Sequence, residues 1–115
     1  MSQHLFVYGT LRRGFENKFA QLLAERGRFI GDARVPGRLF DLGPYPGARR
    51  ADQPNQWIVG EIFQLDEAVL AALDEYEGPE YERAKVPAGA LECWIYWYGG
   101  PLAGHLIASG DWLKP

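Results

Sequence analysis

Several things are scarce in this chain of 115 residues. It has one cysteine, Cys93, so an internal disulfide framework and an all-cysteine metal site are both excluded. Its two histidines, His4 and His105, stand too far apart for ligand spacing, and no metal site is expected. Basic residues do not exceed acidic ones: the net charge is −3 with a pI near 5.3. That balance leaves no electrostatic footprint for nucleic acid or an anionic membrane. No apolar run approaches the roughly 20 residues that cross a bilayer. The first one, Leu5 to Tyr8, lacks a basic flank and is too short for a signal core, so a cytoplasmic protein is expected.

What is present fits one domain over residues 1–115. Apolar residues make up 47% and charged residues 23%, enough for both a core and a polar surface. With 14 glycines and 8 prolines, turns are frequent and short strands are favoured. Leu5 to Tyr8 reads as a buried strand, followed by a loop from Gly9 to Gly14. A first helix follows, with Phe15, Phe19, Leu22 and Leu23 on one stripe and Gly27 as its stop. Arg28 to Val35, Gly37 to Leu42 and Trp57 to Phe63 read as strands. Gly43 to Gly47 is expected to hold no ladder, because two prolines remove donors. A second helix runs from an Asp66 N-cap to Gly78-Pro79. Tyr81 to Val86 and Leu91 to Tyr98 form a hairpin around Pro87-Ala-Gly89. The tail from Gly104 is ambiguous. Mixed strands with two segregated helices predict an α+β fold, its strands able to close into a small barrel with the helices outside.

One carboxylate stands out on the second helix. At roughly 100° per residue, Val69, Leu70, Leu73 and Tyr76 share a face, and Glu77 falls within about 40° of Leu73. Glu67 and Glu75 point elsewhere, and Asp74 lies on the flank. Burial, the helix C-terminus and the nearby Asp74 all push the Glu77 pKa upward, toward a neutral-range acid/base. Arg83 opposes this if its guanidinium reaches the carboxylate. Desolvation prevails if that pair is absent, and an acid limb of activity between roughly pH 5 and 7 follows. The alternative is a frayed last turn with Glu77 in water.

The loop from Gly9 to Gly14 can turn its N–H groups toward an anion or oxyanion, or it can be a plain connection. It is neither a P-loop nor a dinucleotide fingerprint. No serine, threonine or Cys93 has a histidine beside it in sequence, which weakens nucleophilic catalysis. In the aromatic strand, Trp94, Tyr96 and Tyr98 share one face while Cys93, Ile95 and Trp97 share the other. Both faces are apolar, as in a barrel wall.

These segments, in order, resemble the gamma-glutamyl cyclotransferase-like superfamily, in its gamma-glutamylamine cyclotransferase-like branch. The matching stretches are Leu5-Phe-Val-Tyr-Gly-Thr-Leu-Arg-Arg-Gly14, Gly43-Pro-Tyr-Pro-Gly-Ala48 and Val59-Gly-Glu-Ile-Phe63. Leu73-Asp-Glu-Tyr-Glu-Gly78 with Tyr81-Glu-Arg83, and the strand around Tyr96, complete the set. The resemblance implies a mixed-strand barrel with a cavity at one mouth. It implies that Tyr8, Gly9, Thr10 and Leu11 bind the gamma-glutamyl group, that Glu77 is the acid/base, and that Tyr81, Arg83 and Tyr96 contribute to the pocket. The implied reaction is attack of an α-amino group on its own γ-carbonyl, releasing 5-oxoproline and an amine without a cofactor. The implied partner is a small gamma-glutamyl compound, with the chain a monomer or homodimer. Two rival readings of the same fold are a small-molecule binder without turnover and an interaction module using the aromatic strand as a dimer edge.

Overall fold

The structure is a computed structural model that describes residues 2–102 and 104–115. Its elements in chain order are β1 (Ser2–Val7), α1 (Lys18–Arg26), β2 (Arg28–Pro36), β3 (Arg38–Asp41), β4 (Pro46–Arg49), β5 (Trp57–Asp66), α2 (Glu67–Glu77), β6 (Tyr81–Ala88) and β7 (Leu91–Tyr98). The strands form one mixed sheet in the order β2-β5-β1-β7-β4-β3, with β6 paired to β7. β1 runs antiparallel to β5 and parallel to β7, and β4 also runs parallel to β7. A bulge between Phe29 and Gly31 bends β2 along β5, and the sheet curls into a half-barrel. The expected α+β architecture with outside helices is the one observed.

Strand alternation divides the apolar side chains into two layers. Phe6, Ile58, Ile62, Ile95, Cys93 and Trp97 fill the concave interior with Val35, Leu39 and Ile107. Their sequence neighbours Leu5, Val7, Phe63, Leu65 and Tyr96 face the other way, under Leu23 of α1 and Val69, Leu70 and Leu73 of α2. The predicted two faces of the Cys93–Tyr98 strand are therefore real, each buried against a different layer. α2 begins where the Asp66 carboxylate accepts the Val69 N–H at 2.9 Å.

Several local expectations are corrected. Phe15 precedes α1: Asn17 caps the helix, its Oδ1 accepting from the Ala20 N–H at 2.8 Å and its Nδ2 donating to the Thr10 carbonyl at 2.7 Å. The Gly43–Gly47 stretch contributes to the sheet after all, since Pro46 and Gly47 open β4 and pair with Asp41 and Phe40. Proline is tolerated there because it occupies the first position of the strand. The last hairpin turns at Gly89-Ala90, and Pro87 stays within β6, which among the described residues pairs with β7 alone. β1 and β5 are longer than predicted, and Tyr8 lies just past the end of β1. The ambiguous tail runs beside the sheet: the Ile107 N–H donates to the Leu39 carbonyl and the Val59 N–H to that of Gly110, both at 2.8 Å.

A buried ionic cluster joins tail, sheet and loop. Arg12 Nε donates to Glu61 Oε2 at 3.3 Å and Arg12 Nη1 to Asp111 Oδ1 at 2.9 Å, while Glu61 Oε1 accepts the Arg13 N–H at 2.8 Å. Arg12 and Glu61 are both among the buried residues. Removing one partner of such a pair strands a charge out of water. Because Arg12 keeps its bond to Asp111, Glu61→Gln is expected to lower unfolding stability by about 1–3 kcal/mol, read as a fall in denaturant midpoint at constant slope. An unchanged midpoint would show that the cluster contributes nothing.

Candidate active site

The Gly9 backbone lies tight against β4: a Cβ at this position would come within 2.7 Å of Pro46 Cγ. The loop so anchored forms one wall of a cavity of about 530 Å³. α2 supplies the opposite wall through Tyr76 and Glu77, and the chain can leave the helix directly after Glu77 because Gly78 adopts φ 81°. The first residue of β6, Tyr81, and Tyr96 of β7 close the sides, with Phe6, Val7, Leu11 and Pro46 as apolar lining.

Seven of the residues singled out from the sequence meet at this cavity: Tyr8, Gly9, Thr10, Leu11, Glu77, Tyr81 and Tyr96. Arg83 does not line it. Its guanidinium donates to both oxygens of Asp74, at 2.8 and 3.0 Å, and stacks 4.2 Å from the Trp94 ring centroid. Asp74 thus takes the cation that could have reached Glu77.

The consequence is a perturbed carboxyl. Among the described residues Glu77 has no ion-pair partner. Burial in the cavity wall, with a smaller contribution from the charge of Asp74, raises its pKa from 4.5 to about 7. Glu75, two residues back, is exposed as the helical period requires. Opposite Glu77, the loop N–H groups of Gly9, Thr10 and Leu11 find no acceptor among the described residues. The loop's shape is held from behind, by Arg12 donating its N–H to the Gly9 carbonyl at 3.1 Å and by Asn17 on Thr10. A proton acceptor near neutrality and free amide donors on the walls of one cavity can together move a proton and stabilise negative charge on oxygen.

Among the other lining residues, four bear on the shape of the site without a local signal for it in the sequence: Tyr76, Pro46, Tyr45 and Glu80. Tyr76 packs with the core stripe of α2 as expected and also shares a 3.0 Å hydrogen bond with Thr10 Oγ1, tying the helix end to the loop. Pro46 lies in a stretch whose prolines and glycines locally favour a turn, yet it opens β4. Tyr45 and Glu80 sit in loops at the mouth, where no periodicity exists to reveal them.

Residues 5–114 match the family described as gamma-glutamyl cyclotransferase, AIG2-like. A Vibrio cholerae protein provisionally named a gamma-glutamylcyclotransferase is 41% identical over 120 residues, covering 97% of each chain. The Escherichia coli K12 gamma-glutamylcyclotransferase family protein YtfP is 37% identical over 113 residues, with 95% of each chain covered. The solution structure of ytfP from Escherichia coli superposes with a TM-score of 0.77 at 34% identity, covering 97% of both chains.

The raised pKa has a consequence for stability with a definite sign. A carboxyl that binds its proton more tightly when folded stabilises the protein below pH 4.5, and this contribution is lost as pH rises toward 7. Glu77→Gln, neutral throughout, should therefore be more stable than the parent at pH 8 by about 1–2 kcal/mol, allowing for solvent at the open mouth. At pH 4 the difference should vanish. Thermal denaturation at the two pH values checks this, and an equal difference at both would refute the buried, unpaired carboxyl.

Proposed function

The chain belongs to the gamma-glutamyl cyclotransferase, AIG2-like family, and from that premise we propose that it converts a gamma-glutamyl compound to 5-oxoproline and a free amine, with Glu77 as general acid/base. The observation that carries this reading is the unpaired Glu77 carboxyl, titrating near neutrality, across the cavity from the loop of Tyr8 to Leu11.

The reaction needs no external nucleophile. The α-nitrogen of the substrate attacks its own γ-carbonyl carbon, one carbon–nitrogen bond forming and the original amide bond breaking. The attacking ammonium starts with three protons and the lactam nitrogen keeps one, so two travel to the departing nitrogen, which leaves as an ammonium. Ionised Glu77 takes the first, freeing the lone pair for attack, and delivers it to the leaving nitrogen. It then takes the second from the ring nitrogen of the tetrahedral intermediate, and the amine carries it away. A group with pKa about 7 suits both directions, because neither accepting nor returning the proton is steeply uphill.

The remaining residues hold the substrate. The N–H groups of Gly9, Thr10 and Leu11 bind its α-carboxylate or the oxygen that gains charge on attack. The cavity walls impose the folded rotamer that brings nitrogen and carbonyl together, converting a flexible chain into a near-attack arrangement.

Incubation with a panel of gamma-glutamyl compounds, reading 5-oxoproline, is expected to find turnover, with kcat/KM falling on the acid side near pH 7. Glu77→Gln should lower kcat by about 10²–10⁴-fold, while Glu75→Gln stays within about twofold because its side chain points to solvent. A Glu77→Gln variant with more than a tenth of parental activity would reject the acid/base role. Ligand binding without product would favour a binder of the same fold.

A further inference from the structure

The Arg12 N–H closes a four-residue turn on the Gly9 carbonyl at 3.1 Å, and Thr10 and Leu11 are the two central residues of that turn. Where Arg12 sits therefore decides which way the Thr10 and Leu11 N–H groups point. The Arg12 side chain is buried, and a buried cation stays where its partners are. Glu61 is divided between two tasks: one oxygen takes the Arg13 N–H at 2.8 Å and the other takes Arg12 Nε at 3.3 Å. The shorter bond to the guanidinium, 2.9 Å from Nη1, is made by Asp111 Oδ1.

The segment that carries Asp111 is seated for this contact. Gly110, at φ 69°, lies so close to β5 that a Cβ there would collide with the Trp57 carbonyl oxygen. Its own carbonyl accepts the Val59 N–H at 2.8 Å, two residues before Glu61 on the same strand. Asp111 Oδ1 also takes the Leu113 N–H at 2.9 Å, which holds the carboxylate in the rotamer that meets Arg12.

We propose that Asp111 is a positioning residue for the site: acting through Arg12, it sets the direction of the Thr10 and Leu11 N–H groups and so how tightly they hold an anionic oxygen of the substrate. The inference rests on the cyclotransferase reading for the identity of that oxygen. Asp111 does not line the cavity, so its effect is separable from proton transfer at Glu77. A displaced cradle loses affinity for the α-carboxylate, read in KM, or for the oxygen that gains charge on attack, read in kcat. Misplacement by about 1 Å can cost about 10²-fold.

The test compares Asp111→Ala with Asp32→Asn on protein shown to be folded by near-ultraviolet circular dichroism. Asp32 faces the exposed side chain of Arg13 at 3.6 Å, so its variant removes an equal charge from the outer rim of the same cluster. In ¹⁵N spectra the Thr10 and Leu11 amides of Asp111→Ala should leave their parental positions, while the Glu77 carboxyl keeps its midpoint of about 7. With a gamma-glutamyl compound that the parent turns over, kcat/KM of Asp111→Ala should fall at least about tenfold with the acid limb unmoved. Asp32→Asn should stay within about twofold on the same measure. Should Asp111→Ala fail to fold, Asp111→Asn decides, because it keeps the shape and loses the charge; about a threefold fall is expected. Unmoved amides, an unchanged kcat/KM, an equal loss in Asp32→Asn, or a displaced Glu77 midpoint would each overturn the proposal. Release of 5-oxoproline by the parent is scored separately. Displaced amides in Asp111→Ala beside a parent that releases no product would end the cyclotransferase reading and leave the hold of Asp111 on the loop standing.

Discussion

A carboxyl group held at the edge of an apolar cavity with no cation beside it is costly in any fold, because its charged form loses water without compensation. The arrangement around Glu77 sustains that cost by fixing the helix that carries it. Asp66 caps the start of α2, the Val69–Leu70–Leu73 stripe packs under the sheet, and Gly78 lets the chain turn away directly after Glu77. A cation on the neighbouring strand β6 is diverted. Arg83 binds Asp74 in a two-point contact and lies against Trp94, and Glu77, in the cavity wall, keeps a raised pKa.

Around the opposite wall the physical situation is reversed. The loop from Gly9 to Arg13 is held by groups whose charges are satisfied: Arg12 between Glu61 and Asp111, the Arg13 N–H on Glu61, Asn17 on the Thr10 carbonyl. These bonds hold the loop in shape, and the N–H groups of Gly9 to Leu11 find no acceptor among the described residues. Asp111 comes from the C-terminal tail, so the shape of the cradle depends on residues nearly the whole chain apart. A satisfied scaffold and an unsatisfied site are what a proton-transfer centre requires, since motion of either wall would let water or a counter-ion reach the carboxyl.

Much of this was legible in the residues, for reasons that can be named. α2 has a strong 3.6-residue period, a cap and a stop, so the direction of Glu77 followed from angles alone. The alternating faces of Cys93–Tyr98 likewise followed from the period of two, and each face meets its own core layer. What escaped depended on long-range pairing. Pro46–Arg49 looks unfit for a sheet locally, yet its strand is made by β3 and β7, neither of which its own sequence reveals. The family resemblance implies Arg83 in the pocket, and no local pattern shows that Asp74, nine residues earlier, takes two of its nitrogens. Phe15 was drawn into α1 by its spacing, whereas Asn17, whose side chain can both cap and reach back to Thr10, decides the boundary.

The chemistry of the site depends on the protonation of a single group, and that can be observed without any substrate. In protein carrying ¹³C-labelled glutamate side chains, the Glu77 carboxyl resonance, assigned by its loss in Glu77→Gln, should titrate with a midpoint of about 7. A midpoint near the ordinary glutamate value of about 4.3 would show a solvated or cation-paired carboxylate, and would contradict the central claim.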